Sequence, residues 1–307
     1  MSKPKLLIAD SGLDRLWLMR MLNQFFDCEI YDPNQRYDQS TVVMADNRFG
    51  ETANYQTIKQ RGYRMVLPYL MDSNVNDSCE IVNGDLTLRA RDWMWIQESQ
   101  QFRERNYHVP QTRARPDRFF LLLMHLRRDH REKLHSAVTH YLDCSLHSYV
   151  GRGIRLPGDT FEGAFDDRLY VPDWYSRTCF SLVSESYVTP ELFISEKIFK
   201  PLAHQHAVVV YGTPGTLEYV RGAGFETFRH RIDESYDLEL HPDMRLQKIM
   251  AVLEDLHSEF IQTGTVFQDP RTHEILAHNH ARFFDQTEIE SRFETQVVNP
   301  IREWAES

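Results

Sequence analysis

The chain has 307 residues, of which 41% are hydrophobic and 26% charged, and its formal net charge is -10. This length fits two domains better than one, and the apolar content is enough for real cores, which excludes wholesale disorder. No run approaches about eighteen uncharged apolar residues, so no membrane-spanning helix is predicted. The short basic start runs straight into an apolar segment and lacks the features of a signal peptide, so we expect a cytoplasmic protein.

The charge is unevenly distributed along the chain. Between Arg103 and Lys133 there are nine Arg or Lys against four Asp or Glu, a surplus of five positive charges. Such a cluster is either a solvated face or a groove that guides an acidic partner such as a nucleic-acid backbone. The sequence leaves both interpretations open.

The first third of the chain alternates short apolar runs with segments of helical periodicity. Strands are predicted at residues 5–9, 29–31, 41–45 and 65–70, and helices at 13–26 and 55–61. Strands that alternate with helices form parallel βαβ units. Asn83-Gly84 then predicts a β-hairpin over residues 80–88, and a helix is predicted at residues 92–105.

The alternation restarts after a polar connector, and we place a domain boundary near residue 115. Strands are predicted at 119–124, 180–183 and 207–211, helices at 130–141, 195–203 and 214–221, and only helices from about residue 241. The predicted fold class is therefore α/β, with Rossmann-like domains over residues 1–115 and 116–307 and a helical C-terminal tail in the second. In such a fold we expect a ligand cleft between the carboxyl ends of the two sheets.

A strand-turn-helix junction near Ser195 carries the most chemical information. Ser195 is expected to cap the helix, which places Glu196 and Lys197 in its first turn. A helix N-terminus has free N–H groups and a positive dipole end, which suit a diphosphate. Lys197 would add a point charge to that phosphate, and Glu196 can accept hydrogen bonds from both ribose hydroxyls. Ordinary helix capping would use the same residues, so both interpretations stay open.

A second junction follows at Gly212-Thr213-Pro214-Gly215. Its backbone N–H groups at Gly212, Thr213 and Gly215 can approach a phosphate, with Pro214 as the first helical residue. A tight βα turn without a ligand is the alternative.

Residues 193–212 resemble the nucleotide-binding signature of the fucosyltransferase-like glycosyltransferases of the GT-B fold. That signature runs aromatic, aliphatic, Thr or Ser, Glu, Lys, and then an aliphatic strand ending in Gly. The chain supplies Phe193-Ile194-Ser195-Glu196-Lys197 and then Val208–Gly212. A longer pattern, through residues 219–228 and 233–237, is similar to proteins of large bacteriophages and giant viruses. The resemblance covers about residues 119–245, and the first 110 residues match only in architecture.

The resemblance implies roles for individual residues around the donor. Glu196 would hold the ribose and Lys197 the diphosphate, with Ser195 at the helix start. Phe193 would lie near the nucleotide, at a position where the family commonly has Tyr.

Two further positions in the second domain are implied by the same resemblance. An Arg after the first strand of this domain would contact phosphate, and Arg131 is the first choice and Arg127 the second. Glu185 follows a strand end where the family often has a Glu. It is either a carboxylate that faces the cleft and takes part in catalysis or a structural hydrogen-bond partner of the next loop.

The acceptor side rests on the first domain. An inverting enzyme needs a base for the acceptor hydroxyl, and Asp10 and Asp72 follow predicted strand ends, with Glu98 as a third candidate. Turn or surface roles are the alternative for each. Trp93 and Trp95 would either stack on a sugar or base, or pack in the core.

The residues and the resemblance together predict a glycosyltransferase with a UDP- or GDP-type sugar donor as co-substrate, and no cofactor. No Asp-x-Asp motif lies beside a suitable strand, so we expect no essential metal. A hydroxymethylated pyrimidine in phage DNA is favoured as acceptor, contacted through the Arg103–Lys133 region in the host cytoplasm. A glycan acceptor and a non-catalytic nucleotide- or DNA-binding module are the alternatives.

Overall fold

The computed structural model divides the chain into two compact units, Met1–Asn106 with Asp285–Ser307, and Tyr107–Phe284. The residues that the structure describes are 3–9, 15–38, 41–44, 53–68, 79–82, 85–88, 90–105, 116–157, 171–190 and 192–307. Within these ranges no helix is long and apolar enough to cross a membrane.

The first unit contains a mostly parallel sheet. Its described strands are β1 (Lys5–Ile8), β2 (Asp27–Ile30), β3 (Val42–Met44), β4 (Arg64–Pro68), β5 (Glu80–Val82) and β6 (Asp85–Leu88), in the spatial order β2-β1-β3-β4-β6-β5. β5 pairs antiparallel with β6, and the other neighbours pair in parallel. The predicted strands and the pairing of the hairpin are confirmed, while Asn83-Gly84 itself lies outside the described residues.

The helices of this unit that precede residue 106 are α1 (Arg15–Leu22), α2 (Ala53–Gln60) and α3 (Trp93–Glu104). Trp17 of α1 meets Trp93 of α3 edge to face, with ring centroids 5.3 Å apart. Trp93 and Trp95 are both buried. Such aromatic pairs contribute about 0.5–1.5 kcal/mol beyond their burial. The core-packing interpretation of the two tryptophans is therefore confirmed.

The C-terminal 23 residues belong to the first unit. They form α10 (Gln286–Phe293), a π-helical stretch (Glu294–Val298) and α11 (Asn299–Glu306). The fully buried carboxylate of Asp92 accepts hydrogen bonds from Arg292 (2.5 Å) and Gln296 (2.7 Å). The predicted helical tail is confirmed. It groups with the first unit, whereas the predicted boundary near residue 115 puts it in the second domain. A buried carboxylate requires such partners, and these lie 200 and 204 residues away, beyond the reach of any local pattern.

The described residues of the second unit form a four-stranded parallel sheet. Its strands are β7 (Arg118–Met124), β8 (Leu146–Tyr149), β9 (Thr178–Ser184) and β10 (Ala207–Tyr211), in the order β10-β9-β7-β8. The three predicted strands are confirmed, because strands covered on both faces are almost continuously apolar. β8 was not predicted, since Leu146-His147-Ser148-Tyr149 is short and half polar, as suits its edge position.

The α-helices in the described part of the second unit are α4 (Asp129–Ala137), α5 (Pro172–Arg177), α6 (Glu196–Ala203), α7 (Thr216–Gly222), α8 (Pro242–Thr263) and α9 (Pro270–Phe283). The prediction of Pro214 as the first residue of α7 is wrong. Gly215 is the N-cap, with a φ of 81°, a left-handed conformation that favours glycine. The predicted α/β fold class, with two Rossmann-like sheets and a helical C-terminal segment, is confirmed.

Candidate functional site

The candidate residues of the second unit follow the carboxyl ends of its strands. Residues 125–128 follow β7, residues 150–152 follow β8, Glu185 follows β9 and Gly212 follows β10. All four strands are parallel, so these ends share one edge of the sheet. In open α/β sheets this is the edge at which ligands bind.

Ser195 caps α6, as the sequence predicts. Its backbone is extended, and its hydroxyl oxygen accepts a hydrogen bond from the Lys197 N–H at 3.4 Å. The same hydroxyl donates to Oε2 of Glu185 at 2.5 Å, and the Ser195 N–H donates to Oε1 of Glu185 at 3.3 Å. The helix start is therefore tied to the end of β9 through a single carboxylate.

Glu185 is completely buried beneath this helix start. Burial raises the pKa of its carboxyl above the usual value, although Lys197 and the Ser195 hydroxyl oppose that shift. Its backbone carbonyl accepts from His130 (3.0 Å) and Arg131 (3.3 Å) on α4. These contacts are those of a residue that joins three elements, and the catalytic role of Glu185 stays a prediction.

Glu196 and Lys197 form an ion pair at the beginning of α6. Lys197 Nζ lies 2.5 Å from Glu196 Oε1 and 3.0 Å from the Ser186 hydroxyl. The two side chains are 12% and 23% exposed, so solvent still reaches the pair. Burial disfavours the charged carboxylate, but Lys197 and Lys200 outweigh it and lower the pKa of Glu196 to about 2. The pair thus places a negatively charged hydrogen-bond acceptor, Glu196, beside a positively charged hydrogen-bond donor, Lys197.

A cavity of about 150 Å³ adjoins this ion pair. One buried water needs only about 10–15 Å³ on this measure, so a small ring system has room. The lining is mostly apolar and includes Leu121, Leu123, Val183, Trp174 and Pro201, together with Glu196, Lys197 and Ser184.

Ser184 is the notable polar group of that lining. Its hydroxyl is buried and has no hydrogen-bond partner among the described residues. A buried hydroxyl without a hydrogen-bond partner is rare in proteins. The Ser184 hydroxyl can form a hydrogen bond with a ligand in the cavity. Apolar walls with a few convergent polar groups are typical of small-molecule sites.

The N-terminus of α7 is already occupied by the chain itself. The carboxylate of Asp237 accepts hydrogen bonds from the N–H groups of Leu217 (3.0 Å) and Glu218 (3.2 Å). The Gly215 N–H donates to the Asp237 carbonyl at 2.9 Å. Asp237 therefore stands where an external anion would bind, and these contacts favour the ligand-free turn for this junction.

Thr213 and Gly212 also have structural roles at the end of β10. The Thr213 hydroxyl accepts from the Phe193 N–H at 2.9 Å, and the Gly212 carbonyl accepts from Arg245. A Cβ on Gly212 would approach Cγ of Glu185 to 3.1 Å, so glycine permits this close packing. The predicted phosphate contacts of Gly212, Thr213 and Gly215 stay predictions.

The aromatic residue that reaches solvent near α6 is Tyr187 and not Phe193. Phe193 is 4% exposed and packs edge to face on Tyr187, which is 41% exposed. The guanidinium of Arg128 lies 3.9 Å from the centre of the Tyr187 ring. No role is predicted for Tyr187 from the sequence, although it lies only two residues after the candidate Glu185. The nucleotide contact predicted for Phe193 is untested.

The two arginines proposed for phosphate differ in exposure. Arg131 is 2% exposed and donates to the carbonyls of Leu126 (3.1 Å) and Glu185. Arg127 has a 64% exposed side chain, and its Nε donates to Glu132 at 2.9 Å. Accessibility therefore favours Arg127, the second choice, and neither phosphate contact is tested.

The structure gives little information on the three residues predicted as candidates for the acceptor base. Asp10 and Asp72 lie outside the described residues, and Glu98 is completely buried on α3. Among the described residues, no group of three or more His, Cys, Asp or Glu assembles as potential metal ligands. The base and the independence from metal stay predictions.

No protein-family profile and no curated protein matches the chain. Among solved structures, a DNA-modifying β-glucosyltransferase, solved with and without its substrate uridine diphosphoglucose, matches 99% of this chain and 100% of its own. Its TM-score is 0.50 at 9% identity. Two α1,3-fucosyltransferase structures, with GDP-fucose and with GDP, cover 93% and 94% of this chain and 92% and 93% of theirs. Their identities are 10% and 13% and their TM-scores 0.41 and 0.43. The chain has a GT-B type of fold, as the resemblance implies.

Proposed function

We propose that the protein is a glycosyltransferase that moves a sugar from a nucleoside-diphosphate sugar to an acceptor hydroxyl. The observation that carries this proposal is the Glu196–Lys197 ion pair at the capped start of α6, beside a mostly apolar cavity. A carboxylate, an ammonium and an apolar cavity match the ribose, diphosphate and base of one ligand.

The charges of Glu196 and Lys197 indicate which part of the sugar donor each residue would bind. Glu196 is ionised at neutral pH because its pKa is about 2, so it accepts hydrogen bonds from the ribose hydroxyls. Lys197 exchanges its contact with Glu196 for the diphosphate. In the transfer the bond between sugar and phosphate breaks, and negative charge develops on the leaving diphosphate. Lys197 and the positive end of α6 stabilise that charge.

For the acceptor we propose a hydroxymethylated pyrimidine in DNA. Support comes from the fold shared with a DNA-modifying β-glucosyltransferase and from the surplus of positive charge between Arg103 and Lys133. That surplus is partly neutralised, since Lys133 lies 2.5 Å from Asp243 and Arg131 is buried. A pyrimidine in a duplex would have to be flipped out of the stack. The acceptor base is proposed to be Asp10 or Asp72.

The donor assignment is tested with a thermal-shift panel of UDP-, GDP-, ADP- and CMP-sugars. A ligand at a hundredfold its Kd stabilises by about 2.7 kcal/mol. The panel is repeated with Glu196→Ala and with the 2′,3′-dideoxy form of the nucleotide that binds. The wild type should lose affinity for the dideoxy nucleotide, whereas Glu196→Ala, which has no side-chain acceptor, should bind both forms equally. A variant that still distinguishes the two forms contradicts the ribose contact.

Catalysis is tested with an isotopically labelled sugar donor. The acceptors are hydroxymethylated duplex DNA, the same duplex without the modification, and a mixture of glycans. Label on the hydroxymethylated duplex alone supports the proposal, and label on glycans establishes the alternative acceptor. Tight nucleotide binding with neither hydrolysis nor transfer indicates a non-catalytic module.

A further inference from the structure

One carboxylate holds two arginines at the carboxyl edge of β7 and β8. Glu132 on α4 accepts from Nε of Arg127 through Oε1 and from Nε of Arg152 through Oε2, both at 2.9 Å. The Tyr149 hydroxyl also donates to Oε1 at 2.9 Å. We call Arg127, Glu132 and Arg152 the arginine clamp.

The turn after β8 builds one side of the clamp. Tyr149, the last residue of β8, is fully buried, and its backbone pairs with that of Ile154 at 2.9 and 3.1 Å. Gly153 reverses the chain between them with a φ of 77°. This tight reversal carries Arg152 back over the Tyr149 ring, where its guanidinium meets Glu132.

The other side of the clamp is formed where the turn after β8 packs against Arg127. The N–H of Gly151 donates to the His125 carbonyl at 2.8 Å. A Cβ on Gly151 would lie 2.8 Å from Cγ of Arg127 and 2.9 Å from the His125 carbonyl oxygen. Only a glycine lets the turn and the Arg127 side chain approach so closely.

The clamp is positive and open to solvent. Two guanidiniums and one carboxylate leave a net charge of +1 in a chain whose net charge is -10. The side chains of Arg127 and Arg152 are 64% and 37% exposed. The terminal nitrogens of Arg127 make no hydrogen bond within the part of the chain that the structure describes. Arg152 also donates to Oε2 of Glu132 through Nη2, so the fork offered to two phosphate oxygens is that of Arg127, and Arg152 adds its Nη1.

The clamp shares its edge of the sheet with the α6 helix start. Arg128, next to Arg127, donates to the Ser186 carbonyl at 2.6 Å, and Lys197 donates to the Ser186 hydroxyl. The two groups of positive charge are thus linked through the loop that follows β9.

We propose that the arginine clamp binds a phosphate group, with Arg127 and Arg152 as the donors and Glu132 as the residue that positions them. The inference rests on the proposed function, because the phosphate belongs either to the sugar donor or to the backbone of the nucleic-acid acceptor. It adds Arg152 and Glu132 to the site. Glu132 fixes both guanidiniums before the ligand arrives, which reduces the entropy cost of ordering them. The Arg152 hydrogen bond is the largest cause that lowers the pKa of Glu132 to about 2, so this anchor stays charged at neutral pH.

The test compares Arg152→Gln with Arg177→Gln. Arg177 is a matched control, since its side chain is 38% exposed and pairs with Asp117 at the opposite edge of the sheet. The probes are inorganic pyrophosphate, UDP, GDP and a short DNA duplex titrated over a range of salt concentrations. Thermal midpoints of both variants establish that each is folded.

The expected result depends on the source of the phosphate. If it is the donor, Arg152→Gln weakens pyrophosphate and nucleotide by about tenfold, as for one charge-assisted hydrogen bond. If it is the acceptor, nucleotide affinity is unchanged and the slope of log K against log salt for DNA falls by about one. Either result supports the clamp, and Arg177→Gln should change neither quantity.

The variant Glu132→Gln distinguishes a positioning role of Glu132 from simple electrostatic repulsion of the phosphate. Removal of a negative charge should tighten phosphate binding if Glu132 only repels the ligand, and should weaken it if Glu132 orders the arginines. Tighter binding, or an Arg152→Gln variant that behaves like Arg177→Gln, overturns the inference, as does a wild type that binds none of the probes. A wild type that binds pyrophosphate through Arg152 but no nucleotide refutes the proposed function and leaves the clamp standing.

Discussion

Two helices of the second unit begin at the same edge of the sheet, and they differ in what occupies their first turn. At α6 the cap is Ser195, and the first turn presents Glu196 and Lys197 beside a cavity. At α7 the first turn is closed by the carboxylate of Asp237. Both follow a parallel strand, and both look like phosphate sites in the sequence.

The difference teaches where an external anion can bind. A helix N-terminus has a partial positive charge and a few free N–H groups, which one bound anion neutralises and satisfies. A carboxylate of the same chain can be that anion as well as a phosphate can. Asp237 lies 20 residues from the N–H groups that it accepts from, so its role is invisible to a local motif. The comparison therefore favours α6 over α7 as the proposed donor site, because Asp237 already occupies the start of α7.

The largest expected effect on stability is that of Asp237→Ala. Two N–H groups at the start of α7 would lose a charged acceptor, which costs about 2–3 kcal/mol. Urea unfolding measures this cost, and nucleotide affinity should stay within about twofold of the wild type. Asp285→Ala is the control, because Asp285 caps α10 in the first unit through the Glu288 N–H and should cost about 1 kcal/mol. Equal costs for both variants would show that α7 does not depend on the Asp237 carboxylate.

Ser195→Ala should have a smaller effect on stability but a visible one on binding. The loss of the N-cap costs about 1 kcal/mol. The buried Glu185 carboxyl also loses the hydroxyl that donates to it, which adds about 1 kcal/mol. Because the Ser195 hydroxyl also contacts Lys197 Nζ at 3.3 Å, the nucleotide should bind more weakly. Asp269→Ala removes the N-cap of α9 and should cost a similar amount while binding is unchanged. If the two cap variants have the same nucleotide affinity, Ser195 serves α6 only as a cap.

Gly215→Ala tests the turn before α7. A Cβ there meets no atom within 4 Å, so the whole effect comes from its φ of 81°. A left-handed conformation costs a non-glycine residue about 1 kcal/mol. Gly264→Ala, with a φ of 75° at the end of α8, should cost the same. A clear loss of nucleotide affinity in Gly215→Ala alone would restore the second junction as a phosphate site.

The smallest effect concerns the pH dependence caused by Glu185. Burial raises the pKa of this carboxyl in the folded protein, so the folded state binds the proton more tightly than the unfolded state. Its contribution to stability is present below the unfolded value of 4.5 and is lost as the pH rises through the folded pKa. Glu185→Gln lacks this titration, so the stability of the wild type relative to the variant should decrease as the pH rises above 4.5. A flat difference up to neutral pH would contradict the raised pKa.

Features encoded in short stretches of sequence were predictable. The alternation of apolar runs located β7, β9 and β10, and Ser195-Glu196-Lys197 located the start of α6 with its cap. Features that depend on distant partners were not. The contact of Arg292 with Asp92 spans 200 residues and lies within the first unit.

The same limit applied within the candidate site. Arg152 joins Glu132 from 20 residues away because Gly151 and Gly153 bend the chain, and no spacing rule indicates that pairing. Arg131 and Arg127 have the same charge and similar positions in sequence, and only their burial separates them. Side-chain accessibility is a property of the packed fold and cannot be deduced from residue type.

The central claim is that the donor diphosphate binds at α6 and not at α7. The most direct test is calorimetric titration of the nucleoside diphosphate from the panel into the wild type, Lys197→Ala and Asp237→Asn. We predict that Lys197→Ala weakens binding by about thirtyfold, the loss of a charged hydrogen bond, while Asp237→Asn stays within about twofold. The opposite pattern, with Lys197→Ala unaffected and Asp237→Asn altered, would contradict the account.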